Sequence, residues 1–117
     1  MYYNLITLAV TSSGKLSVCE GCQVFHFIFN NLYFEFDVDQ YLSFKDYLNN
    51  IEIDYWEHKY ASCDLSRRIP ISVSQENLIL MFNRFEILEL KKLFLIAEST
   101  KVQFLDISEI NYSFQLN

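Results

Sequence analysis

The sequence has little glycine and few basic residues, and these shortages exclude several classes of protein. Its two glycines are too few for the glycine-rich loops that cradle phosphate groups or dinucleotides. No stretch approaches the roughly 18 uninterrupted apolar residues of a membrane-spanning helix, so we expect no membrane partner. Nine basic residues stand against fifteen acidic ones, and the net charge of −6 argues against a nucleic-acid partner.

Apolar and aromatic side chains are plentiful instead. Hydrophobic residues make up 51% of the 117 positions and aromatic residues 17%, which excludes a disordered linker and indicates a packed core. A chain of this length fits one domain. The apolar stretch 1–10 has no basic residue before it and no long apolar region after it. We therefore predict no signal peptide and a cytoplasmic, reducing location.

One stretch of the chain is repeated at a shift of 46 positions. Residues 31–48 (NLYFEFDVDQYLSFKDYL) and 77–94 (NLILMFNRFEILELKKLF) align without a gap and share five identities. Each copy begins with the alternation of a strand and then changes to a helical period. Asp37 precedes Gln40, and Asn83 precedes Glu86, by the three positions of a helix-capping pair. The pattern predicts a duplicated unit of two strands and a helix.

These signals predict an α+β fold, with an antiparallel sheet of about six to eight strands and two helices built on the duplicated β-β-α unit. Residues 51–60 alternate in part and are predicted to be extended, and strands are predicted at 102–105 and 112–116. The predicted organisation is a single domain, 1–117, with an N-terminal hairpin (1–22), unit one (23–50), a connecting segment (51–66), unit two (67–98) and C-terminal strands (99–117).

The first hairpin can be set in register from its turn. If residues 30–31 form a two-residue turn, Phe27 lies opposite Phe34, and the phenylalanines of both strands share one face, which must be core. His26 then lies across from Glu35 on the other face. In the second copy the equivalent positions are Ser72 and Met81, so this pair is not a requirement of the fold.

The motif Cys19-Glu-Gly-Cys22 is the compact element with chemical potential. With residues 20–21 as a two-residue turn and Gly21 at positive φ, the two cysteines become opposite partners that close a hairpin. Two thiolates held in this way form half of a tetrahedral zinc site, and Cys63, His26 and His58 are the candidates for the rest.

Other interpretations of these residues stay open. A straight strand places His26 roughly 13 Å from Cys22, so His26 joins a zinc only if a bulge bends the strand. The cysteine pair also fits reduced thiols that flank a turn, or a redox dithiol without the helix N-terminus that usually activates one. His26 with Glu35 fits a general base with its orienting carboxylate, and it equally fits a cross-strand ion pair.

The motif CEGC with His26 close behind it, followed by NLYFEF, RRIPISV and NLILMF, resembles a family of small uncharacterised bacterial proteins that carry a domain of unknown function. The resemblance covers roughly residues 16–97, and its specific elements are Cys19, Cys22 and His26. It implies two strand-then-helix units. It implies no activity, substrate or catalytic residue.

Three functions follow as hypotheses. The first is a non-catalytic binding or protein-interaction module, whose contact surface is formed by Tyr33, Glu35 and Asp37 and whose partner is an unknown protein or a second copy of the chain. The second is a small zinc-binding protein with a structural metal on Cys19, Cys22 and Cys63, with His26 as a further candidate ligand. The third is an enzyme that uses His26 and Glu35. Apart from zinc, no cofactor is expected.

Overall fold

The computed structural model describes the backbone of residues 5–108 and the side chains of residues 5–100. Within this range the chain forms six strands and three helices. In order they are β1 (Leu5–Val10), β2 (Gly14–Cys19), β3 (Phe25–Phe29), β4 (Leu32–Phe36), α1 (Val38–Asn49), α2 (Ile53–Lys59), β5 (Ile69–Ser72), β6 (Ile79–Phe82) and α3 (Arg84–Ser108). The predicted α+β class is confirmed, with one more helix than expected.

The strands form two antiparallel sheets rather than one. Four of them make a meander in the order β1-β2-β3-β4, and β5 and β6 make a separate hairpin. A single sheet of six to eight strands is therefore not what the described residues form. Helix α3 packs across β1 and β2, and α1 packs against α3 and β4. One apolar core is shared by the four-stranded sheet, the hairpin and the helices.

Both predicted capping pairs begin a helix. The Asp37 side chain accepts a hydrogen bond from the Gln40 backbone N–H at 2.8 Å, and the Gln40 side chain accepts one from the Asp37 N–H at 2.9 Å. Asn83 and Glu86 exchange the same two bonds, at 2.9 and 2.8 Å. These bonds occupy N–H groups that the first turn of a helix leaves without partners. Helices α1 and α3 consequently start where the sequence predicts.

The register of the first hairpin is also confirmed. Phe27 pairs with Phe34, and His26 pairs with Glu35, across the two-residue turn 30–31. Asn30 adopts a φ of 54°, which asparagine tolerates better than most residues. The phenylalanines of β3 are buried, whereas those of β4 are half-buried because β4 lies at the edge of its sheet.

The second hairpin does not repeat this register. Its loop spans residues 73–78, against two residues in the first hairpin, and β5 pairs Ser72 with Ile79 and Pro70 with Met81. Ser72 therefore does not lie opposite Met81 in the way that His26 lies opposite Glu35, and the expected equivalence of the two pairs is wrong. A shift of 46 positions relates β4 and α1 to β6 and α3. The same shift does not relate the pairing of β3 with β4 to the pairing of β5 with β6. Duplication of the whole unit remains a prediction.

Two segments predicted as extended are helical. Residues 53–59 form α2, because Ile53 and Trp56 recur at a helical spacing and pack together against the core. Residues 102–105 belong to α3, which continues to Ser108 since no glycine or proline follows Pro70 in the sequence. The predicted strand at 112–116 lies outside the described residues. No helix in the described part of the chain has the length and apolar character needed to cross a bilayer.

Gly14 lies where packing leaves little room for a side chain, and its backbone conformation is open to other residues. It is the first residue of β2 and lies under α3. A β-carbon at this position would stand 3.0 Å from Phe29 Cδ1 and 3.1 Å from both the Ile28 carbonyl oxygen and Leu93 Cδ2. The absence of a side chain therefore sets how closely β2, β3 and α3 approach one another.

Candidate functional site

A chain of three polar side chains crosses the outer face of β3 and β4. His26 Nδ1 lies 2.7 Å from the Tyr33 hydroxyl oxygen, and that hydroxyl donates to Glu35 Oε2 at 2.9 Å. The direct distance from His26 Nδ1 to Glu35 Oε2 is 3.9 Å. Since the Tyr33 hydroxyl has one proton and gives it to Glu35, His26 must carry its proton on Nδ1 to complete the chain. The predicted His26–Glu35 pair is thus bridged by Tyr33.

The three residues of this hydrogen-bonded network lie at or near the surface. Partial burial, then the hydrogen bond and charge of Glu35, raise the pKa of Tyr33, which keeps the phenol protonated at neutral pH. Tyr33 is 56% exposed, and the Glu35 side chain is 61% exposed. These residues present a polar, aromatic patch.

A groove of about 550 Å³ opens beside this patch, on the side of the sheet that faces α1. One wall is β4, the second is α1, and the third is the chain that follows β5. Tyr47 of α1 donates a hydrogen bond to the Pro70 carbonyl oxygen at 3.5 Å and so connects α1 to β5, the strand that leads into the third wall. The lining residues are Phe34, Glu35, Phe36, Asp39, Gln40, Ser43, Phe44, Tyr47, Ser72, Val73 and Ser74.

The groove combines aromatic walls with negative charge. The rings of Phe34, Phe36 and Phe44 are packed on one another, with centroids 5.2 to 6.0 Å apart. Glu35 and Asp39 are exposed acidic residues in the lining, and no lysine or arginine is among the described residues that line it. Such a site favours a ligand with apolar groups and positive charge.

The third predicted contact residue, Asp37, is the N-cap of α1. Its carboxylate caps α1 through Gln40, as described above. Asp37 is exposed and adds negative charge next to the groove, but replacing it would also remove the cap. Tyr33 and Glu35 are therefore the cleaner positions for testing this surface.

Sequence reasoning missed most of the groove. Asp39, Ser43 and Tyr47 follow one another at four-residue spacing along one face of α1, which is the one signal that could have grouped them. Nothing in the sequence placed Ser72–Ser74 next to that face, since these residues are distant along the chain.

Cys19 and Cys22 are joined by a disulfide, with their Cα atoms 5.6 Å apart. They are not opposite partners across a two-residue turn. Cys19 N–H donates to the Val24 carbonyl at 2.8 Å, so the turn between β2 and β3 comprises residues 20–23. Gly21 has the positive φ predicted for it, at 98°, and Gln23 has a φ of 57°. Cys19 is buried at the end of β2, whereas Cys22 is exposed on the turn.

The proposed zinc ligands are spread over the described structure. Cys63 is exposed in the segment after α2, His58 is exposed on α2, and His26 is engaged by Tyr33 on the outer face of the sheet. Within residues 5–100, no group of three or more His, Cys, Asp or Glu side chains is arranged to hold a metal ion. The zinc site on Cys19, Cys22 and Cys63 stays a prediction.

Thiol titration distinguishes a Cys19–Cys22 disulfide from cysteines that are reduced and bound to zinc. We expect one titratable thiol per denatured chain without reductant and three after reduction, because the Cys19–Cys22 disulfide leaves Cys63 as the free cysteine. The variant Cys63→Ser, treated identically, should show none without reductant. Zinc content is measured on the same sample, purified without a metal-affinity tag. Three free thiols with about one zinc per chain would contradict the disulfide and support the zinc site.

The fold and this surface define a small α+β protein: an antiparallel meander with helices on one side and an aromatic, acidic groove at its edge. The chain belongs to a family of unknown function, DUF6686, whose family model matches residues 1–117. The resemblance to an uncharacterised domain is thereby confirmed, and the family assigns no activity. Neither the curated proteins nor the solved structures contain a match to this chain.

Proposed function

We propose that this protein is a non-catalytic protein-interaction module that binds its partner at the groove and at the adjoining residues Tyr33 and Glu35. The observation that carries the proposal is the groove itself, which unites aromatic walls with exposed acidic groups at the edge of a sheet. Aromatic residues dominate the centres of protein interfaces, and exposed charge at the rim speeds association and selects partners.

Rigidity of the walls supports the same function. The capping bonds fix the start of α1, the hairpin turn fixes β4, and the rings between them are already packed. A partner that enters such a groove has to order few side chains of this protein, which lowers the entropic cost of binding.

A second copy of this chain is an alternative partner, which light scattering tests against the monomer mass of 14.0 kDa. The cytoplasmic location is a prediction on which the thiol titration bears, because a persistent Cys19–Cys22 disulfide is favoured outside a reducing compartment.

The module is tested with displayed random peptides of twelve residues, selected on the immobilised full-length chain. Enriched peptides are then measured on Tyr33→Ser and on the matched control Tyr55→Ser, since Tyr55 is similarly exposed but lies on α2. We expect Tyr33→Ser to weaken binding by about tenfold or more and Tyr55→Ser to leave it unchanged, as for the loss of an interface hot spot. Failure to enrich any peptide, or equal loss in both variants, would contradict the proposal.

A further inference from the structure

This inference rests on the proposed function and specifies its partner. We infer that the groove accepts an extended segment of another protein, in which apolar side chains alternate with lysine or arginine, and that this segment adds to β4 as a fifth strand. Strand addition to an exposed edge is a general mode of peptide recognition, in which main-chain hydrogen bonds supply affinity and alternate side chains supply specificity.

Strand β4 lies at the edge of its sheet and has backbone hydrogen-bonding groups on its outer side. In the described part of the chain, β3 lies on one side of β4 and no strand lies on the other. Phe29 and Leu32 close the two-residue turn and exchange backbone bonds, so the alternation of an antiparallel ladder directs the N–H and C=O groups of Tyr33 and Glu35 away from β3. An added strand meets roughly four such groups. A row of unpaired groups of this kind is a template on which another strand can pair.

The two faces of the sheet differ in chemistry at the β4 edge, so an added strand would meet a different surface on each face. Successive side chains of an added strand point to opposite sides of the sheet. On one side they enter the groove beside Phe34 and Phe36, which favours apolar or aromatic residues. On the other side they lie next to Glu35 and Tyr33, where a lysine or arginine gains a cross-strand ion pair and a contact with an aromatic ring.

Neither β4 nor the terminal segments outside the described range carry the positive charge that this edge favours. The strand β4 reads LYFEF, and the segments outside the described range, 1–4 (MYYN) and 109–117 (EINYSFQLN), contain no lysine or arginine. A second copy that pairs through β4, or a terminal segment that folds back, would leave Glu35 without a lysine or arginine partner. Charge complementarity therefore favours a different, basic protein segment.

The probe is a synthetic peptide, acetylated and amidated, with the sequence Lys-Val-Lys-Phe-Lys-Val-Lys. Binding is followed by NMR on the isotope-labelled full-length chain. We expect the backbone amide signals of Tyr33 and Glu35 to shift on binding. We also expect about tenfold or greater loss of affinity when glutamate replaces each lysine of the peptide, or when alternate peptide nitrogens are methylated to remove the ladder donors.

Two glutamine variants test whether the negative charge of Glu35, and not any loss of surface charge, is needed for binding. Glu35→Gln should weaken binding of the lysine peptide several-fold, as expected for a charge at the rim, while Glu52→Gln, an exposed glutamate before α2, should not. Equal binding of the methylated peptide would overturn strand addition, because contact would then be through side chains alone. Protection of the Tyr33 and Glu35 amides from exchange in the free protein would also overturn it, since the edge would already be occupied.

The two proposals fail in different ways. If displayed peptides bind through Tyr33 but are insensitive to backbone methylation and carry no alternation of apolar and basic residues, the interaction module stands and strand addition is wrong. If no displayed peptide and no lysine peptide binds, both are wrong.

Discussion

Replacing Phe27 by alanine should lower the free energy of unfolding by about 3–5 kcal/mol, a large part of the total stability of a domain of this size. Phe27 is 1% exposed and lies at the centre of the aromatic core. Its ring centroid is 5.2 Å from that of Phe94 on α3, 5.6 Å from Phe34 on β4 and 5.8 Å from Phe44 on α1. Truncation therefore removes contacts among three elements and leaves a cavity.

Phe85→Ala is the matched control for this substitution. Phe85 lies on α3 but is 78% exposed, and alanine is a better helix former, so its stability should change by less than about 0.5 kcal/mol. Both variants are compared with the wild type by urea unfolding followed by circular dichroism. Equal destabilisation would mean that α3 packs through its other face.

Replacing Glu89 by glutamine should lower the free energy of unfolding by about 1–2 kcal/mol at pH 7, because a hydrogen bond to a charged acceptor contributes about 1.5–3 kcal/mol and one to a neutral acceptor about 0.5–1.5 kcal/mol. Glu89 lies on α3, and its Oε2 accepts from the Thr11 hydroxyl at 2.6 Å and from the Ser13 backbone N–H at 2.7 Å. One carboxylate oxygen thus holds the turn between β1 and β2 against α3. Glutamine keeps the size of the side chain but removes the charge.

The same carboxylate makes stability depend on pH. The hydrogen bond from Thr11, and then that from Ser13, outweigh desolvation and hold the pKa of Glu89 below its usual value of 4.5. A group with a lowered folded pKa stabilises the fold above the unfolded value and loses that contribution as the pH falls through the folded value. The difference between wild type and Glu89→Gln should accordingly shrink below about pH 4.5.

The control for this effect is Glu76→Gln in the exposed loop between β5 and β6, which should change little at any pH. Thermal unfolding is measured for the three proteins from pH 7 to pH 3. If the gap between the wild type and Glu89→Gln persists unchanged at pH 3, the stabilisation comes from the shape of the side chain and not from its charge.

Local chemistry was enough to predict the first hairpin and the starts of both long helices. The turn at Asn30, the alternation around Phe27 and the capping residues Asp37 and Asn83 act over a few neighbouring positions, so short windows of sequence contain their signals. The His26–Glu35 pairing followed from the same register. Tyr33 was placed on that face, but its bridging position depends on side-chain rotamers that register does not set.

Other elements required information from distant parts of the chain. Residues 53–59 alternate well enough to suggest a strand, and they are helical because Ile53 and Trp56 reach the same core. The register of β5 depends on the length of a six-residue loop, 73–78, which no periodicity encodes. Leu42 is apolar but exposed, whereas its neighbour Tyr41 is buried, because the packing of α1 turns Tyr41 and Leu48 toward the core.

The sequence by itself determined the α+β class, the phenylalanine core and the acidic, aromatic character of the surface around Glu35, since composition, alternation and capping are properties of neighbouring residues. Only the tertiary structure decided that little room is left for a side chain at Gly14, that Glu89 anchors a turn nearly eighty positions away, and that three separate segments enclose a groove. Each of these depends on a distance between elements that are remote along the chain. Such distances are set by the packing of the whole core and not by any window of sequence.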